Sequence, residues 1–146
     1  MFLAGNDEKT PEELNKINTT DIRNAEEQAG RLNQQAGKTV AFLVPTAQAH
    51  NALRTLIARK EMPGMTNQSE VFRDAIGHPT PPVVALNAYL HFAVLYKRSP
   101  IGLPMPSILK NPDRPQWDEK MNRKLQELAW DLVTHYPPSG VTSDGK

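Results

Sequence analysis

Apolar residues recur at helical spacing along most of the chain and form a strand-like run in one place only. Thr10-Pro11-Glu12-Glu13 has the makeup of a helix start. Thr10 can cap, Pro11 suits the first helical position, and Glu13 can close a capping box. A second start at Thr20, with Asp21 at the positive end of the helix dipole, leads into a helix reaching Gln35. Its apolar stripe is thin (Ile22, Ala25, Ala29, Leu32, Ala36), which predicts a surface helix stopped by Gly37. Lys38 to Val44 is a near-continuous apolar run, β-branched in part and closed by Pro45. It predicts a strand covered on both faces, as in a parallel sheet. Thr46 then caps a helix from Ala47 to Lys60, with Ala49, Leu53, Leu56 and Ile57 on one face. Strand, short turn and helix together make an α/β unit. One strand cannot make a sheet, so its neighbours must come from elsewhere.

The pattern changes after residue 60, where eleven of the 13 prolines lie. Met62-Pro63-Gly64-Met65 breaks the chain, Ser69 and Glu70 can begin one helical turn, and Arg73 to Pro82 reads as a rigid loop. Val83 to Tyr96 is apolar nearly all round, which predicts a buried helix. A proline-bound crossing runs from Ser99 to Pro106. A last helix, about Trp117 to His135, carries Trp117, Met121, Leu125, Leu128, Ala129 and Leu132 at helical spacing. Pro137-Pro138 ends it.

Composition narrows the function classes. The 146 residues suit one domain, with 17 basic and 16 acidic residues and a net charge of +1. That balance offers no electrostatic reason to expect nucleic acid or an anionic membrane. No apolar run is long enough to span a bilayer, and the opening Met1-Phe2-Leu3-Ala4-Gly5 is too short for a signal peptide. Cysteine is absent, which removes disulfides, thiolate metal sites and cysteine nucleophiles. No cofactor motif or glycine-rich phosphate loop occurs, and the histidines lack the short spacing of a helical zinc motif. The compartment stays open.

Among the four histidines, His50 reads as a structural or exposed helix residue and His91 as a hydrogen-bonded core histidine. His135 reads as a cation at a helix C-terminus. His78 differs. It lies in the proline-bound loop between Gly77 and Pro79, four residues after Asp74. A nearby carboxylate can accept the second imidazole N–H and fix the tautomer, as in a nucleophile–base–orienter arrangement. Asp74 equally suits a turn cap. No serine sits in a Gly-x-Ser-x-Gly elbow. The chain holds a candidate base and orienter without a nucleophile.

Four features in order carry a resemblance. They are Val40-Ala-Phe-Leu-Val-Pro-Thr-Ala-Gln-Ala-His50, Phe72-Arg-Asp-Ala-Ile-Gly-His-Pro-Thr-Pro-Pro82, the helix Ala85 to Tyr96, and Ser99-Pro-Ile-Gly-Leu103. Together they resemble the C-terminal part of an SGNH (GDSL-type) hydrolase, over about Lys38 to Pro106. The resemblance implies the end of a three-layer α/β/α fold, mostly helical here and with one strand. It also implies a Ser–His–Asp hydrolase of esters such as acylated carbohydrates or lipids. His78 would be the general base and Asp74 its orienter. The usual Asp-x-x-His spacing would fall on Ala75, so Asp74 stands one residue early. The family's nucleophile block, oxyanion glycine and asparagine have no match in Met1 to Gly37. An upstream segment or a partner chain would supply the serine, and the chain alone is expected to be nearly inactive. Members are often exported, although no leader is visible here.

The organisation expected is therefore a polar helical segment (1–37), the C-terminal part of an SGNH-like domain (38–136) and a disordered tail (137–146). The rival expectation is a non-enzymatic helical interaction module. There the Val83–Tyr96 and Trp117–His135 helices pack on the lone strand and pair with a partner, and His78 is an ordinary surface residue.

Overall fold

The computed structural model describes residues 9–74 and 77–142. Among them are four α-helices: α1 (Pro11–Ala36), α2 (Thr46–Ala58), α3 (Pro81–Tyr96) and α4 (Glu119–Thr134). Short 3₁₀ turns lie at Gln68–Glu70, Ser107–Leu109 and Pro137–Ser139. No sheet forms among the described residues; extended backbone pairs only in an isolated bridge between Phe72 and Pro79. The expected α/β three-layer fold is thereby corrected to a helical one.

The reason lies in how residues 39–45 find their hydrogen bonds. The Asn33 side chain on α1 accepts from the Val40 and Ala41 N–H groups at 2.7 and 2.8 Å and donates to the Ala41 carbonyl at 3.0 Å. Leu43 N–H donates to the Pro138 carbonyl at 2.9 Å. A side-chain amide and a turn carbonyl thus replace strand neighbours. Burial differs too. Val40 and Phe42 stay half exposed, so the run is not covered on both faces.

α1 starts as its sequence dictates. Glu13 N–H donates to Thr10 Oγ1 at 3.2 Å, and Thr10 N–H donates back to Glu13 Oε2 at 2.8 Å. The expected second start at Thr20 does not interrupt it, because Thr19 and Thr20 sit within one continuous 26-residue helix. Gly37 closes it at φ 64°. Most of α1 remains in water, and its arginine–glutamate pairs at 3.9 Å are fully surface pairs of small energetic weight.

The core forms where α3 lies along α4, with α2 across both. α2 contributes Ala49, Leu53 and Ile57; α3 contributes Val83, Leu86, Leu90 and Ala93; α4 contributes Met121, Leu125, Ala129 and Val133. Polar contacts fix this packing. Tyr89 OH donates to Asn122 Oδ1 at 2.5 Å. Gln126 accepts from Gly102 N–H at 3.0 Å and donates to the Leu103 carbonyl at 2.8 Å, which pins the proline-bound crossing onto α4. Asp118 caps α4 by accepting from Lys120 and Met121 N–H.

Residues 137–142, expected to begin a tail, are packed. Ser139 Oγ donates to the Val133 carbonyl at 2.7 Å and accepts from Val141 N–H, and Val141 is buried. Lys97 Nζ holds the Gly140 carbonyl at 2.7 Å. Tyr136 OH donates to Glu26 at 2.9 Å, which ties α1 to this end. Burial and the facing Glu26 carboxylate push the Tyr136 phenol up to about 12. Residues 143–146 lie outside the described residues.

Two glycines should respond oppositely to alanine. Gly64 has φ 74°, and a Cβ there would sit 2.4 Å from the Gln116 carbonyl oxygen, so Gly64→Ala should cost about 1–3 kcal/mol in urea unfolding. Gly30 lies inside α1 with open space around it, and Gly30→Ala should add about 0.5–1 kcal/mol.

Candidate functional site

The segment from Val71 to Thr80 leaves the core and returns to it as a tight excursion. Val71 and Phe72 are buried at its foot. Arg73 N–H donates to the His78 carbonyl at 2.9 Å, and Thr80 N–H to the Val71 carbonyl at 3.2 Å. Gly77, at φ 89°, returns its N–H to the Asp74 carbonyl at 3.2 Å. Residues 75–76 lie outside the described residues.

Both sequence-predicted site residues meet here. Asp74 Oδ1 accepts from the His78 backbone N–H at 3.0 Å, and Asp74 Oδ2 lies 2.5 Å from His78 Nδ1. The four-residue separation works because the carboxylate closes a turn instead of following a helix. With Nδ1–H donated to the carboxylate, Nε2 is left as the lone-pair nitrogen. The side chain is 51% exposed and Nε2 has no hydrogen bond among the described residues, so this lone pair faces water. No serine bonds to His78 among the described residues: Ser99 Oγ accepts from Ile101 N–H, and Ser139 Oγ is spent inside the core. A cavity of about 320 Å³ opens at the foot of the same turn, lined by Glu70, Thr80, Pro81, Arg114 and Trp117 among others.

The remaining histidines redistribute. His91 is exposed, not in the core; its Nδ1–H donates to the Asn87 carbonyl at 2.7 Å. The reason is that α3 buries only part of its circumference. His135 is exposed and caps α4, its Nδ1–H reaching the Asp131 carbonyl at 2.8 Å. No cluster of three or more metal-ligating side chains occurs among the described residues.

His50 is the buried histidine, and it belongs to a polar cluster that the sequence reading missed. His50 and Arg54 are one turn apart on the buried face of α2, 7% and 4% exposed. Both meet Phe72: the His50 ring packs edge-on at 5.2 Å, and the Arg54 guanidinium carbon sits 5.4 Å from the ring centre. His50 Nε2 lies 3.1 Å from Asn87 Oδ1 on α3. Burial holds the His50 imidazole below its ordinary value; the Asn87 bond opposes this and the Arg54 charge adds to it. Burial also lowers Arg54. The signal was available: positions 50, 54 and 57 share the helical spacing of the core stripe, so a His and an Arg there had to be buried or displace it.

Comparison of the chain with known protein families, with curated proteins and with solved structures finds no match.

The His50 shift has a sign that can be measured. In the unfolded chain a histidine protonates near 6.5, and in the fold this one protonates lower. Between these values the unfolded state binds more protons, so stability is full above about pH 6.5 and is lost as pH falls through the folded value. Urea midpoints should drop from pH 7 toward pH 5 in the wild type, and His50→Gln should flatten that slope.

Proposed function

We propose that Asp74 and His78 form the general-base half of an ester-hydrolysing site whose serine and oxyanion donors come from outside this chain. The supporting observation is the 2.5 Å contact between Asp74 Oδ2 and His78 Nδ1, which leaves Nε2 without a hydrogen bond among the described residues. That is the state a base needs before it takes a hydroxyl proton. The resemblance of residues 38–106 to SGNH hydrolases points the same way, as the SGNH part that carries the histidine and not the nucleophile. Placed against a serine hydroxyl, His78 Nε2 would accept the proton while Asp74 stabilises the resulting imidazolium. The cavity at Glu70, Thr80, Arg114 and Trp117, which opens beside the foot of the turn, offers room for an acyl or sugar group.

The chain alone should not react stoichiometrically with a serine-directed fluorophosphonate. It should still turn over 4-nitrophenyl acetate slowly through the imidazole. His78→Ala should lower that rate roughly tenfold, short of the 10²–10⁴ that a base supplies in a complete site. Asp74→Asn should lower it less. His135→Ala, which removes an exposed histidine beside an aspartate, should leave it unchanged. Equal rates for His78→Ala and wild type would sink the reading.

A second reading rests on α3. The helix contains no Asp, Glu, Lys or Arg, yet Val84, Ala88, His91 and Leu95 form a stripe on its open side, with Leu95 73% and Tyr96 65% exposed. The stripe is self-complementary under a two-fold axis: in an antiparallel pair Val84 meets Leu95 and Ala88 meets His91 of a second copy. A 16-residue helix offers a face only about 24 Å long, so the dimer is a weak one. Sedimentation should show concentration-dependent association that Leu95→Glu abolishes. Oxidising a mixture of Ala88→Cys and His91→Cys chains, otherwise cysteine-free, should favour the mixed disulfide. A statistical mixture of disulfides would exclude this register, and a monomer at every concentration would exclude the dimer.

A further inference from the structure

The buried polar side chains of this protein fall into two groups. Asn122, Gln126 and Ser139 are all hydrogen-bonded. His50 Nδ1 and Arg54 Nε are buried and have no partner; Asn15 Oδ1 and Gln68 Oε1 are also unpaired, but belong to half-buried side chains elsewhere on the chain. Arg54 makes no ion pair and no hydrogen bond among the described residues; its only recorded neighbour of electrostatic consequence besides His50 is the face of Phe72. A buried guanidinium without a carboxylate is unusual, because buried charges are ordinarily paired. The two unsatisfied groups lie one turn apart on one face of α2 and stand on the same aromatic ring. Nε is sealed from water, and Arg54 as a whole is 4% exposed.

We infer that Arg54 and His50 form a binding site for a phosphoryl group, either inorganic phosphate or the phosphate of a monoester. The donor set chooses between oxyanions. Asn87 presents its oxygen to His50 Nε2, so Nε2 carries the proton and Nδ1 offers a lone pair. The group that completes the site must therefore carry a negative oxygen for the Arg54 fork and an O–H for Nδ1. A phosphate monoanion, which keeps a P–OH beside its negative oxygen, has both and leaves the site neutral against the Arg54 cation. If that proton passes to His50, the resulting phosphate dianion faces two cations and the site stays neutral. A carboxylate satisfies Arg54 alone, and sulfate brings no O–H at neutral pH. Phe72 then has a further part. The guanidinium carbon lies 5.4 Å from the ring centre, a contact that steadies the fork before the ligand arrives.

The test is a titration of the full chain with inorganic phosphate at constant ionic strength, followed by the His50 ring signals in NMR. Saturable shifts are expected at millimolar phosphate, with sulfate and acetate binding at least about tenfold more weakly, a factor set by one lost hydrogen bond to a charged group. Phenyl phosphate separates the two sources: equal or tighter binding assigns the site to a monoester, and exclusion assigns it to the free ion. Arg54→Met should abolish binding while leaving the thermal midpoint equal or higher, because it removes an uncompensated buried charge. Arg54→Lys should retain part of the affinity. The inference is overturned if wild type shows no saturable shift. Equal binding of phosphate by Arg54→Met would overturn it as well, and so would a large fall in midpoint for Arg54→Met without ligand, since the arginine would then be structural.

Discussion

An uncharged helix of 16 residues governs the architecture. α3 carries no group that gains from water along most of its surface, so the rest of the chain is arranged to cover it. α4 covers the face formed by Val83, Leu86, Leu90 and Ala93 with a stripe of Met121, Leu125, Ala129 and Val133. α2 covers an adjoining strip. Tyr89–Asn122 and Gln126–Leu103 fix the sliding and rotation that apolar packing alone leaves free. Coverage ends at Val84, Ala88 and Leu95, and the open stripe is a consequence of having only two helices to spend on it.

Much of the helical order could be read from sequence because its causes are local. The Thr10–Glu13 box, the Gly37 stop and the stripe on α4 depend on residues within a turn or two of one another. The strand over residues 38–44 failed for a non-local reason. A continuous apolar run describes which side chains seek burial, but backbone pairing needs donors and acceptors at the right distance, and here Asn33 and Pro138 offer them first. The same limit applies to α3. Its all-round apolarity told of a demand for burial, and the supply depends on the number of partners in the fold. Among the candidate residues, the Asp74–His78 pair was legible because four residues of a turn hold it. The burial of His50 and Arg54 was legible in the stripe they share with Ile57, whereas their contacts were not, since Phe72 and Asn87 lie far along the chain.

Phe72 links the two sites. Its ring is the floor beneath His50 and Arg54, and its backbone begins the excursion that presents Asp74 and His78. The exposed pair is therefore mounted on a buried anchor whose surroundings are polar and incompletely satisfied. A change at His50 or Arg54 therefore acts on the root of the turn that carries His78, without touching His78 itself.

Asn33 has a meaning beyond the few bonds it makes. An extended apolar segment with free N–H and C=O groups is a template on which other chains can add strands. The Val40–Val44 run has the composition for this, and Val40 and Phe42 are exposed. By occupying Val40 N–H and both backbone groups of Ala41, one amide on a neighbouring helix removes the docking points from the middle of that template. A single side chain thus blunts this segment, where a sheet would have used an additional strand.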